Sequence, residues 1–159
     1  MTTFWVVLLW IAAGTSGLLA GIGLNKAAVE LPAGRRLGSV EFARFSRQAD
    51  LGNGLILYPI VGLAAPALTI AAGVDLAYAH AFPAAALVLA LSAAGFGLLH
   101  LGTTAVAAPQ MVRIGRLGDE RAALDRAYER FRAWNLARSL AGLGMFFLTL
   151  AALGVVVGG

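Results

Sequence analysis

His100 and Arg138 both sit inside long apolar runs, where an ionisable side chain is costly unless it finds a partner, water or a use. A neutral imidazole there can take a proton from an acidic carbon or a phenol, and a guanidinium can hold the anion that results. Glu30 and Asp50 are the carboxylates placed to share such proton work, so the four together are the candidate catalytic residues. Asn25, Asn53, Tyr58, Thr104, Trp134 and Asn135 fall at the same ends of the apolar runs and are the candidate substrate-binding residues. At 100° per residue, Trp134, Asn135 and Arg138 share about 100° of one helical face, an aromatic wall beside an amide and a cation. That trio suits a hydrophobic ligand with one oxygen or an anionic head.

Each candidate also has a plainer use. Arg138 lies only about five residues, about 7 Å, inside its apolar run, so its stem could snorkel to the headgroups. His100 can be a hydrogen-bonded packing residue, and Asn25, Glu30 and Asp50 can be ordinary polar helix ends. Other chemistries lack their residues. There is no cysteine, and the only two histidines, His80 and His100, are expected at opposite faces of a membrane, where they cannot share one metal. The sequence has no Glu-x-x-His pair, no His-Glu-x-x-His motif, no phosphate-binding loop and no nucleophile elbow. No metal and no cofactor are expected, which leaves acid-base work.

The elements that would position these groups are membrane helices. Of 159 residues, 60% are hydrophobic and only 13% charged, with a mean hydropathy of +0.82, far too apolar for a water-soluble domain. The apolar runs predict an all-α, four-helix transmembrane bundle in a single domain, with spans near residues 3–24, 54–72, 83–108 and 133–157. The first span, starting Met-Thr-Thr-Phe-Trp, lacks a signal's positive region and reads as an uncleaved helix. Gly14, Gly17 and Gly21 give it a small-residue face for close helix approach, in this chain or in a homo-oligomer. Pro32 and Gly34 are expected to mark a turn, and Ser39 to cap an amphipathic helix over residues 40–50. On that helix Arg47, Asp50 and Asn53 should share an arc of 120°. Residues 74–82 are expected as a connection with Tyr78 as interfacial anchor, the third span to end at Pro109, and Asp119 to cap the last helix. Leu124, Tyr128, Phe131 and Trp134 should form the apolar stripe of that helix.

The sequence pI near 10.3 reflects topology rather than nucleic-acid binding. Lys26, Arg35, Arg36, Arg44 and Arg47 come after the first span and Arg113, Arg116, Arg121, Arg126, Arg130 and Arg132 after the third, whereas residues 74–82 hold no Lys or Arg. Positive loops stay in the cytoplasm, so two longer cytoplasmic connections are expected, with both termini extracytoplasmic in the cell membrane. Alternation then brings Asn25, Glu30, Asp50, Asn53, His100, Thr104, Asn135 and Arg138 toward one leaflet.

The runs Gly21-Ile-Gly-Leu-Asn-Lys-Ala-Ala-Val-Glu-Leu-Pro32, Phe45-Ser-Arg-Gln-Ala-Asp50 and Trp134-Asn-Leu-Ala-Arg138 resemble the small four-helix membrane family that includes anthrone oxygenases. The resemblance covers most of the chain. It implies cofactor-free oxidation of an anthrone-like polycyclic phenol to a quinone, or related acid-base chemistry such as cyclisation or isomerisation on a lipophilic intermediate. Trp134, Asn135 and Arg138 match its recurrent part, without a catalytic role being implied by that. Glutathione-using four-helix membrane enzymes share the length, but their Arg-x-x-x-Asn-x-x-Glu pattern is not reproduced here. Beside the enzyme stand two other readings: a non-catalytic membrane subunit or lipid-binding scaffold, and a small transporter with Glu30 and Asp50 coupling protons.

Overall fold

Four helical rods make up the chain in the computed structural model, which describes residues 2–79, 82–118 and 120–158. The first joins α1 (Thr2–Asn25), a π-helical turn (Lys26–Glu30) and α2 (Leu31–Leu37). The second joins α3 (Ser39–Gln48), another π-helical turn (Ala49–Asn53) and α4 (Gly54–Ala79). The third and fourth are α5 (Ala84–Arg116) and α6 (Arg121–Gly158). No strand occurs among the described residues, and every rod is long and apolar enough to cross a membrane. The all-helical, four-rod architecture read from hydropathy, each rod long and apolar enough to cross a membrane, is therefore the one found. Around the bundle α1 neighbours α4 and α6, and α5 neighbours α4 and α6, leaving α1 and α5 on one diagonal.

Three apolar layers hold the rods together. At the end far from the arginines, small side chains such as Ala12, Ala72, Ala86, Ala90 and Ala152 mesh with Leu9, Leu76 and Leu153. Small residues let backbones close up in a bilayer, where contact rather than water release drives association. Gly73 is one such approach: a Cβ there would come within 2.9 Å of the Ala90 carbonyl oxygen. The middle layer is thin, made of Leu19, Val61, Ala65 and Met145. The third layer is a cap built by α2, α3 and the ends of α5 and α6, from Leu31, Phe42, Met111, Ile114, Leu124, Tyr128 and Phe131. It exists because the rods overrun the bilayer: the 33 residues of α5 span about 50 Å at 1.5 Å each, against roughly 30 Å of hydrocarbon. Inside the cap the Phe42 and Tyr128 rings meet edge to face at 4.9 Å, and the Tyr128 hydroxyl donates to the Leu31 carbonyl.

Several boundaries differ from expectation. Pro32 and Gly34 do not make a turn, since Pro32 is the second residue of α2, which continues the rod of α1 without a break. The chain reverses instead at Gly38, whose φ of 95° and ψ of 156° are accessible essentially to glycine alone. Gly34 lies against the Phe42 ring, with no room for a Cβ, and that contact closes α2 onto α3. Ser39 does not cap α3: it makes no capping bond, and its buried hydroxyl has no partner among the described residues. Residues 74–79, expected as connection, continue α4, with Tyr78 exposed on its surface. Pro109 does not end α5 but lies within it, because a proline deletes one backbone bond that neighbours can re-satisfy. Both expected long connections are consequently mostly helix. Of the expected small-residue face, Gly17 receives Phe146, whereas Gly14 and Gly21 have nothing over them. His80 in the outer connection and Asp119 as a helix cap lie outside the described residues.

Candidate functional site

Between the middle layer and the cap lies a cavity of about 310 Å³, to which all four rods contribute, at the small end of the roughly 300–1,000 Å³ usual for small-molecule sites. Leu19, Ile22, Val61, Leu55, Leu63, Met111 and Phe131 give it apolar walls, and its polar groups are Lys26, Asp50, Tyr58, His100, Thr104, Arg138 and Ser139. Leu55, Pro59 and Leu63 are also exposed on the outer surface of α4, so on that side the cavity is separated from lipid only by side chains.

The two π-helical turns build its charged wall. A π turn holds one residue more than an α turn and so shifts the downstream side chains to a new face, and each of these turns directs one charge inward. Lys26 opens the first and Asp50 lies in the second; both are only 4% exposed. Lys26 Nζ contacts Asp50 Oδ1 at 2.5 Å and Glu30 Oε2 at 2.7 Å, with the Phe42 and Phe45 rings about 6 Å away. The second Asp50 oxygen accepts from the Ser46 hydroxyl, and Glu30 Oε1 accepts from Asn25 Nδ2 at 2.7 Å. Both Asp50 oxygens are thus engaged, one by Lys26 and one by Ser46. Tyr58 lies over Gly54, where a Cβ would meet its ring at 2.7 Å.

The opposite wall joins α5 and α6. His100, 3% exposed, packs over Gly142, and its Nδ1 lies 3.1 Å from the Arg138 carbonyl oxygen. A carbonyl only accepts, so Nδ1 donates and Nε2 of the neutral ring carries the lone pair. Arg138 donates through Nη2 to Asn135 Oδ1 at 2.8 Å. Its other N–H groups make no hydrogen bond or ion pair among the described residues. Ser139 fastens α6 to α1 by donating to the Gly23 carbonyl at 3.0 Å, across a spot where Gly23 has room for little more than hydrogen. The Thr104 hydroxyl is buried beside the cavity without a partner among the described residues.

Of the ten sequence candidates, Asp50, Tyr58, His100, Thr104 and Arg138 line the cavity. Glu30 and Asn25 stand behind Lys26, and Asn135, fully buried, anchors Arg138 from outside the cavity wall. Asn53 and Trp134 are not brought in. Asn53 is exposed because the π turn breaks the 100° phasing on which its arc with Asp50 rested. Trp134, 41% exposed, is on the outward side of Arg138. Lys26, read from the sequence as a loop charge, is a site residue, as are Ser46 and Ser139. The signal for Lys26 was Glu30 four residues later with no breaker between. The two cations Lys26 and Arg138 against the two carboxylates Glu30 and Asp50 bring the formal charge of the cluster to zero. What the cavity can do is accept a proton at the imidazole and hold an oxyanion at the guanidinium. No family model, no curated protein and no solved structure matches the chain.

Proposed function

We propose that this protein is a membrane enzyme that removes a proton from a lipophilic carbon acid or phenol. One observation carries it: a buried imidazole with a fixed tautomer and a guanidinium with unused donors face one apolar cavity. His100 Nε2 takes the proton; Arg138 and the Thr104 hydroxyl donate to the oxygen on which charge collects, and Tyr58 lies across the pocket. The Lys26–Asp50 pair holds α1 and α4 at the spacing the cavity needs. Substrate arrives from the bilayer past Leu55, Pro59 and Leu63. The polar rim faces the cytoplasm and both termini the other side, an orientation supported by the arginine distribution.

The sequence resemblance narrows the substrate to an anthrone-like tricycle. Loss of its methylene proton gives an enolate whose carbon adds dioxygen; the hydroperoxide then loses water, leaving the quinone. One dioxygen is consumed and one water formed, with no other reductant or oxidant. The test uses purified protein in detergent with an anthrone, with quinone absorbance and oxygen uptake as the readouts. Solvent-deuterium incorporation at the methylene without oxygen isolates the proton step. His100→Ala is expected to slow both by about 10²-fold or more, and Arg138→Ala by a similar factor. Unchanged rates in both variants would remove the assignment.

A further inference from the structure

A second concavity, about 300 Å³, lies on the outside of the bundle between the first rod and α6. Its floor is apolar, from Ala27, Leu31 and Leu136, and its rim carries Arg35 and Arg36 of α2 and Arg132 of α6. Arg132 is bound to Glu129 at 2.9 Å. Arg35 and Arg36 make no hydrogen bond or ion pair among the described residues, and the nearest carboxylate along their rod, Glu30, is taken by Lys26 and Asn25. Ala27 and Leu136 are each within about a turn of where the first and fourth apolar runs meet the interface, and Arg35 and Arg36 stand two to three turns further out. An apolar floor below two guanidinium groups complements an acidic amphiphile in shape and charge. Guanidinium groups chelate phosphate oxygens in pairs, and basic hollows between membrane helices select anionic headgroups.

We propose that this groove binds an anionic phospholipid, its phosphate held by Arg35 and Arg36 with support from Arg132, and the start of an acyl chain lying on Leu31 and Leu136. The site is separate from the central cavity and stands whether or not that cavity is catalytic. Native mass spectrometry of the full-length protein in neutral detergent, titrated with phosphatidylglycerol or phosphatidylcholine, tests it. Retained phosphatidylglycerol is expected, with affinity falling about tenfold or more in Arg35→Gln/Arg36→Gln, since each basic residue beside an anionic headgroup contributes about fivefold. Arg132→Gln, on the other wall, should weaken it about fivefold or less. Arg113→Gln/Arg116→Gln removes the same charge from the same end outside the groove and should leave binding unchanged. An equal loss in both double variants would overturn the proposal in favour of diffuse surface charge. Equal retention of phosphatidylcholine, or displacement of the lipid by millimolar inorganic phosphate, would overturn it as well, the second pointing to a free-anion site.

Discussion

Lys26 and Asp50 form a buried ion pair, but their removal should not cost the same. Lys26→Met leaves Asp50 buried with Ser46 as its remaining hydrogen-bond partner among the described residues, the situation in which a broken buried pair costs about 3–5 kcal/mol. Asp50→Asn leaves Lys26 its contact with Glu30 at 2.7 Å, so about 1–3 kcal/mol is expected, the scale of one lost charged hydrogen bond. Unfolding midpoints of both variants in one detergent check this, and an equal or reversed order would mean that Glu30 does not share the ammonium. Arg138→Lys is the companion prediction for activity. It keeps the charge but not the planar fork that bonds Asn135 and the ligand together, so turnover on an anthrone should fall although the protein stays folded. At this scale the sequence was most informative where a polar residue interrupted an apolar run, as at His100 and Arg138. It was least informative at Lys26, whose burial depends on a partner 24 residues away.

Helical phase decides which side chains of an element reach the cavity, and two of the four rods change phase partway. A uniform 100° per residue put Arg47, Asp50 and Asn53 on one face. The turn Ala49–Asn53, with Gly52 at φ −94° and ψ −111°, sends them apart: Arg47 donates to the Gly115 and Leu117 carbonyls, Asp50 faces Lys26, and Asn53 faces outward. No periodicity count reveals such an insertion, because composition does not distinguish a π turn from an α turn. Along α6, which has none, the phasing was correct but the width of the buried face was not. Asn135 and Ser139 define its centre, Arg138 lies about 80° to one side, and Trp134 about 120° on the same side, beyond the packed edge. Deleting Ala28 tests the role of the first π turn. The shortened turn should close as ordinary α-helix, which holds one residue fewer, so Leu31 and Gly34 keep about their direction from α1 while Glu30 moves from four residues after Lys26 to three, which weakens the Lys26–Glu30 contact. Helix content by circular dichroism should stay near wild type while the unfolding midpoint drops by several degrees. An unchanged midpoint would mean that the extra residue has no packing purpose.

For the whole molecule, charge asymmetry and shape agree on where the candidate site sits. The cap and cavity occupy the end that carries Arg35, Arg36, Arg113 and Arg116, while the alanine-rich layer occupies the end of Tyr78. Hydropathy was sufficient to count the rods, because each of the four apolar runs became one helix long and apolar enough to cross a membrane. It could not show that the rods continue past the bilayer, because the overhanging turns are amphipathic and read as loops. If positive charge sets the orientation, that end is cytoplasmic, and the absence of cysteine makes the matter directly measurable. Leu37→Cys and Gly118→Cys, both at exposed positions beside the turns of the cap, should react with a membrane-impermeant maleimide only after cells are opened. Tyr78→Cys, at the far end, should react in intact cells. The opposite pattern would put the cavity's polar rim and the arginine groove on the outer face. The proton that His100 is proposed to take would then leave toward that side, and the anionic lipid proposed for Arg35 and Arg36 would have to come from that leaflet.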